Sequence, residues 1–69
     1  MSIPYERSRA VLQTRVLLNE LAAGAHIDKD RLRRRAAALL RHYPGPVDIN
    51  NAAALLPTVW AKADAKRDD

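Results

Sequence analysis

Apolar residues recur along this chain at the spacing of α-helices, and no stretch shows the alternation typical of β-strands. The first such segment begins at Pro4, which suits the first turn of a helix, and ends before Gly24, a common stop signal. We therefore predict a helix over about residues 4–23. Its main apolar stripe contains Ala10, Val11, Leu17, Leu18, Leu21 and Ala22.

The same helix carries a second apolar stripe, formed by Tyr5, Leu12 and Val16. At about 100° per residue, these three side chains lie well away from the main stripe. A helix with two apolar faces either lies between neighbours or keeps one face for another chain. We therefore interpret Tyr5, Leu12 and Val16 as a surface for self-association, as in a homodimer, or for association with a partner.

A second amphipathic helix is predicted over about residues 29–43. Leu32, Leu39 and Tyr43 fall on one face of it, either Asp28 or Asp30 can cap its start, and the proline at position 44 ends it.

Two further short helical segments are predicted after the Pro44-Gly45-Pro46 turn. Asp48 is expected to cap a third helix over about residues 49–56. Pro57 is expected to start a fourth over residues 57–62, with Val59 and Trp60 facing inward. Residues 61–69 are rich in charge and are expected to form a disordered tail.

These segments predict an all-α fold in one domain over residues 1–60. Two amphipathic helices would form an antiparallel hairpin, closed at one end by the short third helix and the proline-started turn. The chain has 69 residues, no phenylalanine and no cysteine, so the core must be thin and without disulfides. Cores of this size often gain stability from a partner or a second copy.

Composition argues against catalysis, cofactors and membranes. The sequence contains no glycine-rich phosphate loop and no Ser-His-Asp arrangement, and His26 and His42 have no further ligand at metal-binding spacing. We therefore expect no enzymatic activity, no metal and no cofactor. The first residues hold no apolar run of the signal-peptide type, and no stretch is long enough to span a bilayer. A cytoplasmic protein is expected.

The strongest functional signal is an arginine cluster on the second helix. The chain has a net charge of +4 and a pI near 10.1, which favours anionic partners. The cluster contains Arg31, Arg33, Arg34, Arg35 and Arg41.

Four interpretations of the arginine cluster stay open. It can bind an acidic or helical protein, in which case the chain is a small interaction module or regulator, or it can contact nucleic-acid phosphates. The chain can also be an inhibitor from a phage or mobile element that docks on a host protein. The fourth interpretation is a solvated helix face paired with Asp28 and Asp30. A helix-turn-helix that reads bases through Asn50 and Asn51 is disfavoured, because the third helix carries no basic residue.

Two sequence motifs resemble a family of short, uncharacterised proteobacterial helical proteins. Its members begin with P-x-E-R-[ST]-R-x-V-x-x-T-R, as in Pro4 to Arg15 here, and carry L-L-R-H-Y-P, as in Leu39 to Pro44. The resemblance covers about residues 2–60, and Ala23 to Lys29 is more apolar than in the family. It implies a compact helical fold and assigns no activity, so no functional residue is carried over.

Overall fold

A computed structural model of the chain describes residues 2–65. It contains three α-helices: α1 (Pro4–Ala22), α2 (Lys29–His42) and α3 (Pro46–Leu55). Of the described residues, 67% are helical and none is in a strand. The predicted all-α class is therefore confirmed.

The ends of α1 follow from its local sequence. Ile3 precedes the helix in an extended conformation, Pro4 occupies the first turn, and the Glu6 carboxylate accepts the Ile3 N–H at 3.1 Å. At the other end Gly24 has a φ of 84°, a left-handed conformation that costs glycine little. α1 therefore stops one residue before the predicted end.

Asp28 is the cap of α2. Its carboxylate accepts the Arg31 N–H at 3.3 Å, whereas Asp30 lies within the first turn, where its charge complements the helix dipole. α2 ends at His42, and Tyr43 is extended ahead of Pro44, as expected for a residue that precedes proline.

α3 begins at Pro46, three residues earlier than predicted. Pro46 was predicted to belong to a turn. The fixed φ of proline suits the first position of a helix, and α3 begins there. Gly45, rather than Asp48, is therefore the N-cap. Asp48 lies in the first turn and accepts the Gly45 N–H at 3.1 Å.

The helix predicted over residues 57–62 is not formed. Leu56 leaves helical geometry, with φ −133° and ψ 66°, and a turn follows in which the N–H groups of Val59 and Trp60 both approach the Leu56 carbonyl. Val59 and Trp60 are both exposed rather than inward. The Ala63 N–H then donates to Asn50 Oδ1 at 2.9 Å. Of the predicted disordered tail, residues 66–69 lie outside the described residues.

The core is thin. α1 and α2 pack against each other, whereas α3 makes no comparably close backbone approach to either helix. Only Ala10, Leu17 and Ala53 are buried among the described residues, while thirteen large apolar side chains are exposed. The buried residues therefore come from α1 and α3, with Ala10 and Leu17 on α1 and Ala53 on α3, and much of the apolar surface is uncovered.

A salt bridge links α3 to α1. Arg7 Nη1 lies 3.4 Å from Asp48 Oδ1 and also donates to the Ser2 carbonyl at 2.9 Å. One arginine of α1 thus holds both the residues before α1 and the first turn of α3.

Candidate partner-binding face

The arginine cluster begins in the first turn of α2, directly after the Asp28 cap. Four of its five members are exposed: Arg31, Arg33, Arg34 and Arg41. Arg35 is half-buried, and its Nη1 donates to Glu20 Oε2 on α1 at 2.7 Å. Arg35 therefore serves the contact between α1 and α2, and the other four have no carboxylate partner within residues 2–65.

Three members of the cluster line a cleft beside the α1–α2 connector. Arg31, Arg34 and Arg35 meet there with residues from α1 and from the connector, namely Glu20, His26 and Ile27. We call this the connector cleft. Since Glu20 neutralises Arg35, Arg31 and Arg34 remain as the cationic groups able to receive an anionic ligand.

Arg33 lies apart from the connector cleft. It lines a shallow hollow on another side of α2, together with Asp30, Arg34, Ala36, Ala37 and Leu40. The structure thus divides the predicted cluster: Arg31 and Arg34 share a cleft, Arg35 is paired, and Arg33 and Arg41 lie outside that cleft.

The second predicted surface, Tyr5, Leu12 and Val16, is exposed on α1 and is here called the α1 stripe. Tyr5 is 68% exposed, Leu12 63% and Val16 42%. These values are high for large apolar side chains, whose burial is worth roughly 1.5–3 kcal/mol each. The α1 stripe therefore contributes little to the fold.

A cleft between α1 and α2 connects the α1 stripe to the arginine helix. It is lined on one side by Tyr5, Arg9 and Gln13 of α1, and on the other by Ala38 and His42 of α2. We call it the central cleft. Ala38 lies one helical turn after Arg34 and one before Arg41, so their side chains neighbour it on the helix surface.

A polar group that the sequence analysis did not identify joins the residues before α1 to the end of α2. Ser2 Oγ lies 2.9 Å from His42 Nδ1, and Glu6 Oε2 lies 3.6 Å from His42 Nε2. Ser2 and His42 are 40 residues apart, so no local pattern could have revealed the contact. We call these three residues the His42 clasp.

The His42 clasp differs from a serine hydrolase triad. In a triad the hydroxyl contacts Nε2 and the carboxylate contacts Nδ1. Here the Ser2 hydroxyl contacts Nδ1 and the Glu6 carboxylate lies near Nε2. The other oxygen of Glu6 also accepts the Ile3 N–H. The geometry is therefore that of a structural contact, which attaches the residues before α1 to the last turn of α2.

The described residues contain neither a cluster of metal ligands nor a membrane-spanning helix. Within residues 2–65, no three His, Cys, Asp or Glu side chains cluster so that they could hold a metal ion. No helix in this part of the chain has both the length and the apolar character required to cross a membrane.

Comparison with known proteins adds no family or neighbour: no family model, no curated protein and no solved structure matches this chain.

Proposed function

We propose that this protein is a small non-catalytic interaction module that binds an acidic, helical protein partner. The partner would contact the α1 stripe with apolar side chains, and Arg31, Arg34 and Arg41 with carboxylates. The observation that carries the proposal is the central cleft, which lies between Tyr5 of the stripe and Ala38 of the arginine helix. The lining of this cleft combines apolar side chains with Arg9 and Glu6, and Arg34 and Arg41 each lie one helical turn from Ala38.

The proposed face requires α1 and α2 to form an antiparallel hairpin. Contacts at both ends of the pair support this arrangement. Ser2 and Glu6 at the start of α1 meet His42 at the end of α2, while Glu20 near the end of α1 meets Arg35 in the first half of α2. Opposite ends of the two helices are therefore neighbours.

Charge and shape favour a protein carboxylate over a nucleic-acid backbone. Arg31 and Arg34 line a recessed cleft that also contains Ile27 and the acidic Glu20. An isolated carboxylate on a helix can enter such a recess, whereas a continuous row of phosphates extends beyond it. The stripe adds apolar area that phosphates would leave exposed.

A base-reading helix has still less support. α3 contains no lysine or arginine, and the Oδ1 of Asn50 is already occupied by the Ala63 N–H. Specific readout of adenine by asparagine requires both the oxygen and the amide of the side chain. DNA binding therefore serves as the competing outcome in the test.

The test compares two labelled probes by fluorescence anisotropy: an alanine-rich helical peptide with glutamates on one face, and a short duplex DNA of mixed sequence. We expect the peptide to bind more tightly at physiological ionic strength. Arg31→Ala and Arg34→Ala should each weaken its binding about tenfold, or about 1.4 kcal/mol, because each removes a charge-assisted hydrogen bond.

Arg33→Ala is the matched control, since Arg33 is an exposed arginine of the same helix but lies outside both clefts. It should weaken peptide binding less than either other substitution. Tighter binding of DNA, with a steep loss of affinity as salt increases, would instead support a phosphate-binding role. An equal effect of all three substitutions would also contradict the proposal.

A further inference from the structure

A second depression between α1 and α2, which shares Leu39 with the central cleft, forms an apolar groove. It is lined by Thr14, Leu17, Ala36, Leu39, Leu40 and Tyr43, and we call it the leucine groove. Leu40 is 71% exposed at its edge and Tyr43 is 45% exposed. Leu21, one turn after Leu17 on the same face of α1, is also exposed.

We propose that the leucine groove is the interface between two copies of this chain. The first argument is area. The chain exposes 6166 Å², whereas a compact monomer of 7.7 kDa is expected to expose about 4,300 Å². The excess of about 1,800 Å² is distributed over the whole chain, and an obligate homodimer buries roughly 1,000 Å² or more of each partner.

The shape of the molecule is consistent with this excess. Its Cα radius of gyration is 14.5 Å and its extents are 39 × 33 × 15 Å, against about 11 Å for a compact domain of this length. A flat molecule has broad faces that its own chain cannot cover. A second copy placed face to face would add thickness and bury such a face.

The charge distribution is compatible with a second copy of this chain in the leucine groove. Each chain has a net charge of +4, so two copies repel unless their contact avoids the arginines. The six residues that line the leucine groove carry no charge, whereas the central cleft contains Arg9 and the connector cleft three arginines. A homodimer through this groove therefore has no charge at its centre and has Arg33 and Arg34 at its rim, since these two line a neighbouring hollow with Ala36 and Leu40.

The groove also suits a two-fold contact, in which each copy presents the same patch to the other. Ala36 and Thr14 have small side chains and leave room, while Leu40 protrudes beside them. Leu40 of one copy can enter the groove of the other, and the reciprocal contact then follows from symmetry. The α1 stripe and the connector cleft remain free in this arrangement.

The test is size-exclusion chromatography with light scattering on the full chain and on Leu40→Lys. We expect the wild-type mass to be twice that of the chain. Leu40→Lys should raise the dissociation constant of the dimer about a hundredfold, because two symmetry-related contacts are lost at roughly tenfold each. Since Leu40 is exposed within one copy, the variant should retain its helical circular dichroism.

Leu12→Lys is the matched control, because it makes the same substitution at a 63% exposed leucine of the α1 stripe. It should remain dimeric. A monomeric wild type would overturn the proposal, as would a Leu40→Lys variant that stays dimeric. A Leu12→Lys variant that becomes monomeric would overturn it too, because self-association would then use the α1 stripe.

A distance measurement provides a second readout. The chain has no cysteine, so Leu40→Cys and Leu12→Cys can each be labelled with a nitroxide at a single site. Electron spin resonance should give a shorter distance between the two copies for position 40 than for position 12. The reverse order would contradict a contact through the leucine groove.

Discussion

At the scale of single residues, the structure distinguishes side chains that the sequence presents as equivalent. His26 and His42 both lacked an assigned ligand or partner in the sequence. His42 contacts Ser2 and Glu6, whereas His26 is exposed beside the connector cleft. Arg35 differs from its neighbours in the same way, since it is paired with Glu20.

The His42 clasp gives a residue-scale prediction. His42→Ala should lower the free energy of unfolding by about 1 kcal/mol, because it removes the hydrogen bond that holds Ser2 against α2. His26→Ala is the control and should change stability by less than about 0.5 kcal/mol. Urea unfolding followed by circular dichroism measures both, and equal effects of the two substitutions would refute a specific role for the clasp.

These distinctions could not be predicted from the sequence. Helical periodicity assigns residues to faces, but it placed Leu18 and Leu21 on the main apolar stripe, where they are 60% and 40% exposed. It carries no information on which exposed arginine meets a carboxylate from another helix. The pairs of Arg35 with Glu20 and of His42 with Ser2 both depend on how two helices are placed.

At the scale of elements, local sequence predicted α1 and α2 closely and α3 poorly. The Asp28 cap, the Gly24 stop and the Pro44 stop follow rules that depend on a few adjacent residues. Proline has two local effects, since it can end one helix or occupy the first turn of the next. At Pro46 the helix starts, and at Pro57 a single turn forms. The local sequence predicted the reverse: a turn at Pro46 and the start of a helix at Pro57.

The two faces of α1 give an element-scale prediction. Leu17 is buried, whereas Leu18 is 60% exposed. Leu17→Ala should destabilise the protein by about 2–5 kcal/mol, through lost burial and the cavity left behind. Leu18→Ala should cost well under 1 kcal/mol. Thermal unfolding followed at 222 nm would compare them, and similar melting temperatures would contradict the observed orientation of α1.

At the scale of the whole molecule, the main feature is the imbalance between a three-residue core and a large exposed apolar surface. The sequence indicated this imbalance through the absence of phenylalanine and the second stripe on α1. It could not locate the leucine groove, because that surface combines residues of two helices. It could not show either that Ala36 and Leu40 line both this groove and the hollow that contains Arg33 and Arg34.

The leucine groove leads to a prediction for the whole molecule. If two copies stabilise each other, the melting temperature should rise with protein concentration, since dissociation accompanies unfolding. Leu40→Lys should abolish this dependence, and Leu12→Lys should preserve it. Differential scanning calorimetry over a hundredfold range of concentration would measure it. A melting temperature independent of concentration would show that each chain folds alone.

The loose attachment of α3 has a consequence for motion. α3 makes no close backbone approach to α1 or α2 and is held by the salt bridge of Asp48 to Arg7 and by the burial of Ala53. Segments with few tertiary contacts open at low free energy while the rest of the structure stays closed. Backbone amides of α3 should therefore exchange with deuterium well before those of α1 and α2. The molecule would then consist of two cooperative folding units, one helical pair and one detachable helix.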